Sequence, residues 1–108
     1  MRTIDRAAII VRPKAAFFEW ADTLPGRGPK IVRPWTSVYL TPAKDDDDPL
    51  KLVRRCYAKI FDEQLLAWWL DEKCWPSPRT FALFQAWFDF DVDDLVFDLS
   101  SRPIVHGD

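Results

Sequence analysis

The spacing most suggestive of chemistry is that of Asp89, Asp91 and Asp93, three carboxylates at alternate positions with Asp94 directly behind them. The first, third and fifth ligands of a calcium loop are spaced this way. The rest of such a loop is missing: the position that needs a turn-making glycine holds Asp94, and the position of the closing bidentate glutamate holds Ser100. Paired carboxylates also serve metal-dependent phosphoryl and glycosyl transfer, but those enzymes need a longer chain and further ligands. Phe88, Phe90 and Val92 alternate with the aspartates, so the segment reads as a strand with apolar residues inward and acids outward. Such a face suits a basic protein partner, and Asp89, Asp91, Asp93 and Asp94 are the candidate contacts. The rival reading is an enzyme that pairs Glu63 with one of these aspartates.

The other reactive side chains point less clearly to chemistry. Asp45-Asp46-Asp47-Asp48 stands before Pro49, where negative charge favours a helix N-terminus and Asp48 is a good cap with proline at the first helical position. His106 is the lone histidine and lies near the end of the chain, whereas catalysis needs locked geometry. Cys56 falls on an apolar stripe and Cys74 in a loop before Trp75. Neither has a metal-ligand neighbour at the usual spacing, and together they read as two reduced thiols of a cytoplasmic protein. No metal, cofactor or catalytic residue is assigned. Arg12, Lys14, Arg27, Lys30 and Arg33 with Trp35 form a basic cluster without a nucleic-acid motif, so nucleic-acid binding through it is an alternative only. Gly26 and Gly28 open no phosphate loop. Of the six tryptophans, Trp20, Trp68 and Trp87 fall on helical stripes and read as core. Trp35, Trp69 and Trp75 sit at edges and are the candidate anchors for a partner or a homodimer contact.

These groups must be positioned by a small domain. The 108 residues are 48% hydrophobic and 15% aromatic, enough to bury roughly two thirds of the unfolded surface and too apolar for a disordered chain. A TIM barrel or a two-half dinucleotide fold does not fit the length. No apolar run approaches the about 18 residues of a membrane span, and the N-terminus lacks signal-peptide features. The net charge of −2 conceals a gradient: residues 1–34 carry seven basic and three acidic side chains, residues 62–108 three and ten. Packing the two ends together would neutralise most of it.

The periodicities supply the elements. Ala7–Val11 is a short β-branched run and reads as a buried strand, with Pro13 suited to open a helix. Phe17, Trp20, Ala21 and Leu24 follow the helical template as far as Pro25-Gly26. After a loop over 25–35, residues 36–41 form a second strand; two strands joined through a helix suggest a parallel right-handed crossover. Val53, Cys56, Tyr57, Ile60, Phe61, Leu65, Trp68 and Trp69 define a long helix, with Asp62 able to cap a second segment after a bend. Thr80 caps a helix carrying Phe81, Phe84, Trp87 and Phe88. Leu95, Phe97 and Leu99 alternate with opposite parity to Phe88, Phe90 and Val92, so a β-bulge near Asp93-Asp94 is needed for one sheet face to take both sets; a helix over 92–99 is the competing assignment. The expected architecture is α+β in the order β-α-β-α-α-β, with a small three-stranded mixed sheet, a domain over 1–102 and a loose tail over 103–108.

Arg6–Lys14 with Phe17 and Trp20, Ile60–Leu65 with Trp68, then Trp75-Pro76, Arg79-Thr80-Phe81, Trp87-Phe88 and Asp98-Leu99 resemble a family of small bacterial proteins of unknown function. The shared pattern is one of aromatic and helix-boundary residues and implies no activity. Where that pattern has a histidine after the alternating strand, this chain has Asp93-Asp94, which implies no shared catalytic residue there. The leading expectation is a non-enzymatic protein-interaction domain, an adaptor or an immunity-type neutraliser, working through the acidic strand.

Overall fold

The computed structural model describes residues 2–25, 35–42 and 48–107. Among them the order is β1 (Arg2–Thr3), β2 (Ala7–Pro13), α1 (Ala15–Asp22), β3 (Ser37–Thr41), α2 (Pro49–Trp68), a short 3-10 turn (Glu72–Cys74), α3 (Phe81–Trp87), β4 (Phe88–Asp93) and β5 (Phe97–Asp98). The chain is therefore α+β, with three helices and a central sheet ordered β3-β2-β4. Both pairings in that sheet are antiparallel, with Ile9 opposite Tyr39 on one side and Val92 on the other. The expected parallel crossover and mixed sheet are not formed. Helix α1 has eight residues, about 12 Å of rise, against about 23 Å for seven-residue β2. By itself it is too short to return the chain along the whole strand, and β3 enters the sheet at the end where β2 left it, Ser37 opposite Val11.

Pro13 closes β2 instead of opening α1, whose N-cap is Lys14. The pairing with β3 starts at Val11, so Pro13 has a neighbour on one side only, Phe88 of β4, and its missing N–H breaks no ladder. Helix α2 is continuous through Asp62, so the expected bend is absent. Ile60, Phe61, Gln64 and Leu65 keep one buried stripe across that point. Its start is as expected: Asp48 accepts a hydrogen bond from the Lys51 N–H at 2.7 Å, with Pro49 at the first position. Thr80 caps α3 in the same way, accepting from the Leu83 N–H at 3.1 Å. Asp45–Asp47 lie outside the described residues.

The core is aromatic. Phe17, Phe61, Phe84 and Phe88 are fully buried with Ile9, Val11, Val53 and Leu65. Phe17 meets Trp20, Trp35 and Phe88 at ring separations of 5.5 Å, and Phe84 stacks on Phe88 at 5.0 Å, distances at which ring pairs attract beyond their buried area. Trp20, Trp68 and Trp87 are half-buried at the margin of this cluster. Cys56, expected in the core, is also half-buried, with its thiol 3.7 Å from the Thr41 hydroxyl.

No bulge joins β4 to the following strand. The chain leaves the central sheet at Asp93, whose carboxylate accepts from the Leu95 N–H at 2.9 Å. It then pairs β5 with β1 in a separate two-stranded sheet, Arg2 opposite Asp98 and Thr3 opposite Phe97. The change of parity is thus a change of sheet, and Leu95, Phe97 and Leu99 face solvent at 62, 49 and 82% exposure. The helical alternative over 92–99 is excluded by the same pairing. Residues 103–107 are exposed and without regular structure. No described helix is long and apolar enough to cross a membrane.

Candidate functional site

Antiparallel partners share a sheet face, so the register assigns every side chain of the central sheet. Ala7, Ile9, Val11 and Pro13 point to the helices with Tyr39, Phe88, Phe90 and Val92. Ala8, Ile10 and Arg12 point away from them, with Val38 and Leu40 on one flank and Asp89, Asp91 and Asp93 on the other. Val38 is 60% exposed and Leu40 49%. The outer face therefore carries an apolar strip along β3 and an acidic strip along β4.

The acidic strip is partly neutralised from within. Arg12 reaches Asp91 at 2.9 Å and Lys14 lies 3.6 Å from Asp89. The Lys14 ammonium also donates to the Gln85 carbonyl at 2.9 Å, placing a cation at the C-terminal end of α3 where the helix dipole favours one. The two described members of the basic cluster are engaged with carboxylates; Arg27, Lys30 and Arg33 lie outside the described residues. Asp93 and Asp94 are exposed and form no ion pair among the described residues.

The second candidate is a groove of about 440 Å³ between β3 and the C-terminal half of α2. Its floor is a polar network around Gln64, which is only 5% exposed. The Trp35 indole N–H donates to the Gln64 carbonyl oxygen at 3.0 Å. An indole N–H can only donate, so the amide nitrogen must face the other way; it donates to Ser37 Oγ at 3.0 Å and to Tyr39 Oη at 2.7 Å. Burial raises the Tyr39 pKa; the hydrogen bond from Gln64 opposes this, the Glu63 carboxylate adds to it, and the Ser37 hydroxyl opposes it again. Because Gln64 donates to Tyr39, the phenol keeps its own hydrogen, and the Ser37 hydroxyl is its second hydrogen-bond neighbour. Trp35 stacks on Trp68 at 5.6 Å and 18° to form one wall, and Glu63 stands at the mouth, exposed.

The three candidate tryptophans part company. Trp35 lines the groove. Trp69 is half-buried just past α2, its indole nitrogen buried with no partner among the described residues. Trp75 is a core residue at 8% exposure, its N–H donating to the Trp69 carbonyl at 2.9 Å and its ring under the Arg79 guanidinium at 5.4 Å. The turn at Glu72–Cys74, which Trp75 caps, directly precedes it, and Trp75 packs into the core cluster rather than at the surface. The pairing of Glu63 with an aspartate of β4 is not formed: Glu63 lines the groove beside β3, and the aspartates face outward on the far side of β2. His106 and Asp98 belong to the exposed C-terminal stretch and to β5, away from both candidates. Among the described residues no three His, Cys, Asp or Glu side chains are grouped to hold a metal.

Gln64 is the residue that pattern reading missed. Its signal was present: a polar side chain three and four residues after Phe61 and Ile60, on the apolar stripe itself, and buried polar groups come with partners.

Fold and site together define a small α+β domain with helices on one sheet face and, among the described residues, no helix on the other. Comparison with protein-family models, with curated proteins and with solved structures finds no match for the chain.

Proposed function

We propose that this chain is a non-enzymatic, cytoplasmic protein-interaction module that binds a basic, amphipathic segment of its partner on the outer face of the central sheet. The observation that carries this is the pairing of strips on that face: Ile10, Val38 and Leu40 beside Asp89, Asp91 and Asp93. The core cluster lies on the other face, and on this one Val38 is 60% and Leu40 49% exposed. A strand or helix with apolar and basic rows would bury the first strip and meet the second. Arg12 and Lys14 hold Asp91 and Asp89 in place, so Asp93 and Asp94 supply the charge that steers a basic partner. The two unpaired thiols, Cys56 and Cys74, fit a reducing compartment.

The test is affinity capture from an extract of the source cells with three baits: the native chain, Val38→Ser/Leu40→Ser, and Asp93→Lys/Asp94→Lys. These positions are exposed, so each bait is expected to fold, which circular dichroism checks. A specific partner lost by both variants supports the reading. A partner retained equally by all three baits refutes it.

A further inference from the structure

We propose that the groove between β3 and α2 receives an arginine side chain of an extended peptide segment that adds to the free edge of β3. This rests on reading the chain as a binding module and assigns that module a second, specificity-determining contact.

Three features of the groove converge on that occupant. The first is the edge. In the central sheet β3 pairs with β2 alone, so among the described residues no strand occupies its other row of peptide groups, which suits the addition of another strand. Ser37 and Tyr39 belong to both the strand and the groove, and alternate side chains of an added strand turn to the helix side, where the groove lies. The second is charge. Glu63 is the one ionised side chain that lines the groove among the described residues, and no cationic side chain lines it among them. The third is the wall. Trp35 and Trp68 lie nearly parallel at 5.6 Å, a flat indole surface on which a planar guanidinium stacks, while its fork meets a carboxylate with two parallel hydrogen bonds. Lysine offers no planar group to that wall.

The network beneath makes the site rigid. Both donors and the acceptor of the Gln64 amide are used within the protein, so the amide fixes Trp35 and Tyr39 and does not compete for the ligand. The volume, about 440 Å³, is within the roughly 300–1,000 Å³ of small-ligand pockets.

The probes are two capped pentapeptides, acetyl-Thr-Val-Arg-Val-Thr-amide and its glutamine counterpart, titrated into the 15N-labelled chain. The Trp35 indole and Gln64 side-chain amide signals are expected to shift and saturate with the arginine peptide. The dissociation constant is expected to be about tenfold weaker with the glutamine peptide, and about tenfold weaker for Glu63→Gln with the arginine peptide. Glu63 is exposed, so that variant keeps its fold, as its urea midpoint verifies. Equal constants for the two peptides, an unchanged constant for Glu63→Gln, or no shift at the Trp35 indole up to millimolar peptide overturns the proposal. Shifts confined to the backbone signals of Ile10 and Asp91 overturn it while supporting the outer-face reading; saturating Trp35 shifts alongside failed capture by the outer-face test do the reverse.

Discussion

Replacing Gln64 by leucine isolates the contribution of the groove network. Leucine has a similar volume and suits an interior helical position, so the change removes hydrogen bonds with little change in packing. Three bonds disappear, to Trp35, Ser37 and Tyr39. At about 1 kcal/mol each the loss would be about 3 kcal/mol. The three partners are half-buried and regain part of this from water, which leaves a net destabilisation of about 2 kcal/mol. For a domain of this size each 1 kcal/mol lowers Tm by about 4–8 °C, so a fall of roughly 10 °C is expected. Urea unfolding followed by tryptophan fluorescence measures the free energy directly. A double-mutant cycle with Tyr39→Phe separates the Gln64–Tyr39 bond, with a coupling of about 1 kcal/mol expected. A loss below about 0.5 kcal/mol for Gln64→Leu, or strict additivity with Tyr39→Phe, would refute the assignment of Gln64 as the organiser of the groove.

Three further outcomes follow from the geometry. Asp48→Ala removes the N-cap of α2 and should cost about 1 kcal/mol in urea unfolding, whereas Asp48→Asn should cost less than half of that. The Arg12–Asp91 pair, both partners well exposed, should show a coupling of under about 1 kcal/mol in a double-mutant cycle, shrinking in high salt; a larger, salt-insensitive coupling would contradict its surface placement. Tyr39 has its folded pKa raised, mainly by burial, so its contribution to stability is full below the unfolded tyrosine pKa and is lost as pH rises through the folded value. Ultraviolet titration should show a tyrosine step above the ordinary 10.0, and that step should vanish in Tyr39→Phe.

Several local signals were readable, although Pro13 and Asp62 were not. Asp48-Pro49 and Thr80 announce helix starts because a cap satisfies backbone donors three residues away. The alternation of Phe88, Phe90 and Val92 with aspartates identifies β4 because pleating sends successive side chains to opposite faces. Reading failed where the decision lay between distant segments. The direction of β3 depends on where α1 returns the chain. The opposite parity of Leu95, Phe97 and Leu99 was resolved by a second sheet, whose other strand, Arg2–Thr3, is two residues long and carries no pattern of its own. Trp75 looked like an edge residue beside Pro76 and is core, packed into the hydrophobic cluster with its N–H on the Trp69 carbonyl.

The amino-acid sequence by itself determined the α+β class, the caps at Asp48 and Thr80, the Val53, Ile60, Phe61 and Leu65 part of the stripe that α2 buries, and the acidic, outward-facing strand. These follow from periodicity and from hydrogen bonds within a few residues, which any chain with these side chains would form. Only the tertiary structure decided what the acids meet and where a groove opens. Arg12 and Lys14 reach Asp91 and Asp89 because β2 and β4 are neighbours in the sheet. Gln64, Trp35, Ser37 and Tyr39 become one network because α2 packs against β3. Both arrangements join residues more than twenty positions apart, and at that separation the pairing is selected by burial of the whole core, which no local pattern encodes.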